Sequence, residues 1–210
     1  MTRKVKDDGR SSRWDAHRET RRAELAAAAV RAVDSAGAEV SIADIAAEAG
    51  VSKPVLYRYF ADKEDLLAAL AQGFLRDVVT PSGLSLHLPE SPDDDAFFTA
   101  VVTGYWTMFK QNIGIMIAVA QLATTQPRFA ALQNEFRRFG VDIVAASVRR
   151  AQEQGYGAEL DPEYTAAAIA LLFENFTTVF VGTPGLGIDI DDENAIATLS
   201  RIWKKTLYGF

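Results

Sequence analysis

One segment constrains the fold of this chain more than any other, the run SIADIAAEAGVSKPVLYRYFADKEDLLAAL at residues 41–70. It predicts two short helices joined by a tight turn at Gly50, where a positive φ costs little. Ser41 is a favourable N-cap for the first helix, and Pro54 suits the first turn of the second, where an N–H is not needed. A helix, a turn and a second short helix with a polar tip form the arrangement that places a helix end in the major groove of DNA.

Helical periodicity continues on both sides of this segment, and no stretch shows sustained strand alternation. We expect a helix from about residue 14 to 35, ended by Gly37, and a fourth helix from 63 to about 79, capped by Asp62. Pro, Ser, Gly and Asp predict a loop over 80–95. Further helices are expected over 97–111, 113–125, 127–154, 162–181 and 191–208. The chain is therefore predicted to be an all-α protein with about nine helices.

The charges are distributed unevenly, which matters more than the net charge of −6. Through Phe60 there are 11 Lys and Arg against 9 Asp and Glu, whereas from Ala61 onward there are 11 against 19. Residues 1–13 lack helical periodicity and are expected to form a disordered basic arm. An acidic body with a locally basic end suits a protein that touches phosphate at one end only.

Composition argues against several classes of protein. The chain has no cysteine, and therefore neither disulfides nor a thiolate metal site. Its N-terminus lacks the apolar stretch of a secretory signal, and the longest apolar run, expected at 113–123, is too short to span a membrane. The two histidines, His17 and His87, belong to no catalytic motif. We expect a soluble cytoplasmic protein that is not an enzyme and uses no cofactor or metal.

Two acidic clusters admit either a cation site or helix capping. The run 93–95 lacks the spacing and the glycine of an EF-hand loop, and Asp189, Asp191 and Asp192 also precede a predicted helix. Carboxylates are favourable at helix N-termini, so capping is the preferred interpretation for both clusters.

Over residues 15–70 the chain resembles the DNA-binding signature of TetR-family transcriptional repressors. The resemblance rests on IADIA, AGVS, LYRYF and DKEDLL, which occur here in one register. It implies a homodimer in which each third helix reads a half-site of a palindromic operator in double-stranded DNA. A position that some relatives use for a base-contacting Arg is Ala43 here, so base reading is expected mainly at 53–59. The alternative for the segment is an ordinary three-helix surface with solvated Tyr and Lys.

The resemblance also assigns candidate DNA contacts by position. The side chains expected to face bases or their sugars are Lys53, Pro54, Tyr57 and Tyr59. Those expected to hold phosphates are Ser41, Ser52 and Lys63. Further electrostatic or minor-groove contacts are expected from Arg18, Arg21 and Arg22. The implied organisation is an arm over 1–13, a helix-turn-helix domain over 14–62, a connecting helix over 63–79 and a ligand-binding and dimerisation domain over 80–210.

The body is rich in aromatic side chains, which build either a plain core or the wall of a ligand cavity. Each aromatic taken singly is more often core, but the set, with Met and a few polar groups, suits an apolar cavity. By resemblance, this is where an inducer binds, and we expect a small hydrophobic ligand. The predicted ligand contacts are Phe98, Tyr105, Trp106, Phe109, Met116, Gln121, Phe136 and Asn175.

The last two predicted helices carry long apolar stripes, which fit either an isologous four-helix dimer interface or burial within one subunit. Glu174 lies in one of these helices, and three roles are open for it: a ligand anchor, a member of an ion pair at the interface, or a solvent-facing residue. The last two are favoured. The predicted function is a repressor that a hydrophobic ligand releases from its operator. The alternative is an all-α small-molecule carrier or sensor that does not bind DNA productively.

Overall fold

The computed structural model describes residues 9–36, 40–79, 88–182 and 187–209, and within them it contains helices and no strands. The helices are α1 (Gly9–Ala36), α2 (Ile42–Glu48), α3 (Lys53–Tyr57), α4 (Lys63–Phe74), α5 (Asp95–Gln111), α6 (Ile113–Ala123), α7 (Pro127–Glu153), α8 (Pro162–Thr177) and α9 (Asp192–Tyr208). The prediction of an all-α protein with about nine helices is confirmed for the described part of the chain.

Several helix ends differ from the prediction. α1 begins at Gly9 rather than near residue 14, so residues 9–13 of the expected arm are helical. The rest of that arm, Gly37 and His87 lie outside the described residues, as do residues 80–87 of the loop predicted over 80–95. α4 and α8 end earlier than predicted as α-helices, and the π-helical turns Leu75–Val79 and Thr178–Gly182 continue them.

Short polar side chains fix where several helices begin. The Ser41 hydroxyl accepts the N–H of Asp44 at 3.2 Å, and the Asp44 carboxylate accepts the N–H of Ser41 at 3.1 Å, which is a reciprocal capping box for α2. Asp94 and Asp191 accept backbone N–H groups of α5 and α9 at 3.1 Å and 2.8 Å. The capping interpretation of the two acidic clusters is therefore confirmed for these two carboxylates.

The buried side chains form two clusters that share α7. The first cluster joins α1 to α4 with α6 and the start of α7, and it includes Leu25, Val33, Ile45, Leu56, Phe60, Leu67 and Phe129. The second joins α5, α8 and α9 with the later part of α7 around Trp203, whose ring contacts those of Phe97, Phe98 and Phe173. The first three helices therefore share their core with the body, because α6 and α7 complete it.

α8 and its π-helical turn form an apolar helix, Pro162–Gly182, in which the most apolar 18-residue window has a mean hydropathy of 1.5. The expectation that 113–123 is the longest apolar run was wrong, because this helix is long and apolar enough to span a membrane by length and composition. One side packs on α7, while Tyr164, Leu171 and Leu172 are 81%, 42% and 39% exposed on another. Exposed apolar patches of this kind mark contact surfaces.

Candidate nucleic-acid interface and internal cavity

A tight turn fixes α3 against α2. Gly50 has a φ of +62°, a backbone conformation that residues other than glycine rarely adopt. The N–H groups of Gly50 and Val51 donate to carbonyls of α2 at 3.1 Å and 2.9 Å. α3 has five residues, which is too short for a helix that is stable alone. Burial of Leu56 and Phe60 in the first cluster supplies the missing stability.

The outer side of α3 carries most of the residues predicted to contact bases. Ser52, Lys53, Pro54 and Tyr57 are exposed, Tyr57 by 53%, and we call these four residues the α3 face. Tyr59 is half-buried and packs against the first cluster, so its ring is less available than that of Tyr57. The α3 face offers an ammonium, two hydroxyls and a flat ring, a set that suits phosphate and base-edge contacts.

Two of the predicted phosphate ligands already have contacts within the fold. The Ser41 hydroxyl donates to the Asp44 carboxylate at 2.6 Å as well as capping α2. Hydrogen bonds from the Ser41 side chain and backbone lower the pKa of that carboxyl, so its negative charge lies beside the hydroxyl. Lys63 is half-buried at the start of α4 and already takes part in an interaction within the fold. Ser52 makes no capping hydrogen bond.

Arg22 points inward rather than toward an outer surface. Its guanidinium lies over the ring of Phe60, 4.4 Å from the centroid, and donates to the carbonyl of Tyr59. It also donates to the Asp65 carboxylate at 3.2 Å. In the structure Arg22 therefore connects the chain just after α3 to α1.

Asp65 joins the DNA-binding helices to α7. Its carboxylate accepts the N–H of Ala61 at 3.0 Å and lies 3.5 Å from a guanidinium nitrogen of Arg128, at the start of α7. Burial alone would raise the pKa of Asp65, but the N–H of Ala61 and the guanidinium groups of Arg22 and Arg128 together lower it. The ionised carboxylate thus links three parts of the chain.

A cavity of about 490 Å³ is lined by residues of α5, α6, α7 and α8, with a wall made mostly of carbon. This volume lies within the range of sites for drug-sized ligands, about 300–1,000 Å³. The predicted ligand contacts that line it are Tyr105, Phe109, Met116 and Phe136. The aromatic residues of this part of the body therefore serve as cavity wall as well as core.

The structure places the other four predicted ligand contacts away from this cavity. Phe98 and Trp106 are buried in the second cluster. Gln121 and Asn175 are exposed, and the Asn175 side chain donates to the carbonyl of Leu171 at 2.8 Å. The reason is physical: helical periodicity shows that a side chain is on an apolar face, but not which neighbouring helix covers it.

The cavity wall also contains a polar cluster that the sequence prediction did not single out as a site. Arg137 donates through Nε and Nη2 to the Glu174 carboxylate at 2.7 Å and 2.8 Å, and Gln133 donates to the same carboxylate at 3.1 Å. The hydrogen bond to Glu174 raises the pKa of Arg137. Glu174 is thus paired within its own chain at the cavity, whereas the sequence favoured solvent or a subunit interface.

Comparisons with known proteins match this geometry. The family described as "Bacterial regulatory proteins, tetR family" matches residues 25–70. An uncharacterised HTH-type transcriptional regulator of Mycobacterium tuberculosis is 46% identical over 93 residues, which are 44% of this chain and 38% of that protein. The HTH-type transcriptional regulator EthR of the same organism is 26% identical over 176 residues, 82% of this chain and 79% of that protein.

A solved structure shows the same fold over most of the chain. It is a TetR-family transcriptional regulator from Streptomyces coelicolor, with a TM-score of 0.67 and 19% identity. The match covers 87% of this chain and 80% of that one. The family match therefore lies within α1 to α4, while the similarity in fold extends over most of the chain.

Proposed function

We propose that this chain, which belongs to the TetR family of bacterial regulatory proteins, is a sequence-specific DNA-binding transcriptional regulator. The observation that carries the proposal is the exposed α3 face, held on the first cluster behind the turn at Gly50. The protein is soluble and cytoplasmic in this account, and it acts by binding rather than by catalysis.

In the proposed complex, α3 lies in the major groove. Lys53 and Tyr57 supply most of the contact to bases and phosphates because they are exposed and unobstructed, and Pro54 and Tyr59 add apolar contact to bases or sugars. Ser52 donates its hydroxyl to a phosphate, since no capping bond occupies it. Ser41 and Lys63 contribute to phosphate binding from their places at the starts of α2 and α4.

The proposed regulator is a homodimer that uses α8 and α9. Tyr164, Leu171 and Leu172 on α8 and Ile202 on α9 are large apolar side chains exposed on the single chain. Packing two copies of these helices together would bury them in an isologous interface. Such a dimer presents two copies of the α3 face to a palindromic operator.

We propose that the protein is a repressor released by a small hydrophobic ligand in the cavity. Phe136 lines the cavity, and its ring lies 5.4 Å from that of Phe74 near the end of α4. α4 begins at Lys63, shortly after α3, so an occupant that moves Phe136 displaces the helix that carries the DNA-binding unit. Release requires that the ligand bind the DNA-free form more tightly than the DNA-bound form.

The alternative function is a small-molecule carrier without productive DNA binding, and the cavity alone would support it equally well. A salt titration of DNA binding distinguishes the two functions. Fragments flanking the gene are mixed with the protein and resolved by gel shift. The regulator forms a discrete complex whose affinity falls steeply as salt rises, because phosphate contacts release counterions. A protein that binds hydrophobic molecules but gives no such complex with any fragment is the carrier.

A further inference from the structure

The polar part of the cavity wall is electrically balanced. Arg137 and Glu174 form a two-point ion pair, and their side chains are 37% and 23% exposed. Both oxygens of the Glu174 carboxylate are occupied, since Gln133 also donates to one of them. Among the described residues that line the cavity, these two are the charged ones, so the wall has no net charge.

The remaining polar groups of the wall are neutral. They are hydroxyls of threonine, the Gln111 amide and the hydroxyl of Tyr105. Burial raises the pKa of Tyr105 well above its usual range, so this phenol stays protonated at neutral pH. The wall therefore offers neutral hydrogen-bonding groups and one internally compensated ion pair.

This arrangement disfavours a negatively charged ligand. A carboxylate reaches Arg137 only beside the carboxylate of Glu174, and two like charges at such a short distance disfavour each other. Pushing Glu174 aside would leave its charge without a partner, which is also costly. A carbonyl oxygen meets neither penalty, and the hydrogen bonds of Arg137 to Glu174 use Nε and Nη2, which leaves the N–H groups of Nη1 for another acceptor.

We propose that the cavity binds neutral, mainly apolar molecules that carry a carbonyl group, such as esters, amides or ketones, and excludes the corresponding carboxylic acids. Arg137 donates to the carbonyl, and Glu174 rejects the anion. The assignment rests on the proposed function, in which an occupant of this cavity controls DNA binding.

The test compares methyl decanoate, decanamide and decanoic acid on the purified, DNA-free protein by isothermal titration calorimetry. At about pH 8 the acid is fully ionised. We expect at least one of the two neutral compounds to bind at least tenfold more tightly than decanoate. Equal or tighter binding of decanoate, or no binding of any of the three, would overturn the proposal.

Two variants assign the selectivity to the ion pair. Glu174→Gln keeps the shape but removes the negative charge, so the preference should move at least tenfold toward decanoate. Arg137→Gln removes the donor instead, so affinity for the neutral compounds should fall and decanoate should still be rejected. Circular dichroism checks that both variants are folded. An unchanged preference in folded Glu174→Gln contradicts the role given to Glu174, and unchanged affinities in Arg137→Gln contradict that given to Arg137.

Gel shifts with the same compounds distinguish this inference from the proposed function. Selective binding of the ester or amide without any change in DNA affinity would contradict release by ligand but support the ligand class. Release of DNA by decanoate alone would support ligand control and contradict the ligand class.

Discussion

Exposure separates residues that look equivalent in the sequence. Tyr57 and Tyr59 occur in one aromatic-basic run, yet Tyr57 is half exposed while Tyr59 packs on the first cluster and offers its carbonyl to Arg22. Arg21 and Arg22 are neighbours, but Arg21 pairs with Glu24 at the surface while Arg22 turns inward. The contributions of these residues to DNA binding and to stability should therefore differ.

Lys53→Ala should weaken operator binding and make it less sensitive to salt. Removing one phosphate-neutralising ammonium is expected to reduce the slope of log affinity against log salt by about 1. Binding isotherms at several salt concentrations measure both effects. Arg138→Ala is the matched control, because it removes one positive charge from an exposed position on α7. Equal losses in the two variants would mean that Lys53 acts only through net charge.

Tyr57→Ala tests the flat ring on the α3 face. The side chain is 53% exposed, so its removal should leave the free energy of unfolding within about 0.5 kcal/mol of the parent value. Operator affinity should nevertheless fall, by at least tenfold, because base and phosphate contacts are lost. Unchanged affinity, measured by gel shift, would remove Tyr57 from the interface.

Arg22→Met should destabilise the fold by about 2 kcal/mol, because hydrogen bonds to a carbonyl and a carboxylate and the contact with Phe60 are lost. Urea unfolding at about pH 7 measures the change. Arg21→Met is the control, and at its exposed ion pair we expect a change within about 0.5 kcal/mol. Equal effects of the two substitutions would contradict the structural role of Arg22.

The same pair of variants should differ in their response to acid. The pKa of Asp65 is lowered in the fold, so the stability that this carboxylate contributes is present above its unfolded pKa of about 3.9. That stability is lost as pH falls through the lower folded pKa. Arg22→Met removes one cause of the lowering, so its deficit relative to the parent should shrink as pH falls through this range. A deficit that stays constant with pH would show that the lost contact with Asp65 does not cause the destabilisation of Arg22→Met.

At the scale of the helices, contacts between helices distant in sequence determine the surroundings of two glycines that local sequence patterns do not distinguish. Gly104 and Gly114 both occur within predicted helices and look alike there. A Cβ on Gly114 would lie 2.5 Å from the carbonyl oxygen of Val33, whereas a Cβ on Gly104 would meet nothing within 4 Å. α6 therefore starts in direct contact with α1, a feature set by packing rather than by local sequence.

Gly114→Ala should accordingly destabilise the protein, since backbone atoms of α1 must move to admit the methyl group. We expect a loss of about 1–3 kcal/mol, as for other overpacked sites. Gly104→Ala should instead stabilise by about 0.5–1 kcal/mol, because alanine loses less entropy in a helix. Opposite signs in urea unfolding would confirm the close approach, and the same sign for both would contradict it.

Local patterns predicted the helices well and the cavity only in part. Capping residues such as Ser41 and Asp191 act within one turn, so the starts of α2 and α9 could be found from the sequence. The cavity depends on how α5 to α8 pack, so Tyr105 lies on its wall while the equally aromatic Trp106 lies in the second cluster. The pairing of Arg137 with Glu174 spans two helices and has no local signal.

At the scale of the whole molecule, α8 has an apolar face that no other part of the described chain covers. Only 22% of the most apolar window of Pro162–Gly182 is buried within the chain. A second copy packed on α8 and α9 would cover Leu171 and Leu172 and would set the distance between two α3 faces. Dimerisation and the spacing of operator half-sites are therefore coupled in this account.

Leu171→Glu should shift the protein toward monomer, because it would bury a carboxylate in the proposed interface. Size-exclusion chromatography with light scattering measures the mass, and operator affinity should fall in parallel. Gln121→Glu is the control, since it adds the same charge at an exposed position on α6. A Leu171→Glu variant with unchanged mass would show that α8 is not the interface.

Recognition of DNA by a symmetric dimer can be measured by selecting bound duplexes from a random library and footprinting the enriched sequence. We expect an inverted repeat whose half-site centres lie about one helical turn apart or slightly more, near 34–36 Å along the duplex. Lys53→Ala should reduce the enrichment. No enriched sequence, or a single unrepeated half-site, would show that the protein does not read DNA as a symmetric dimer.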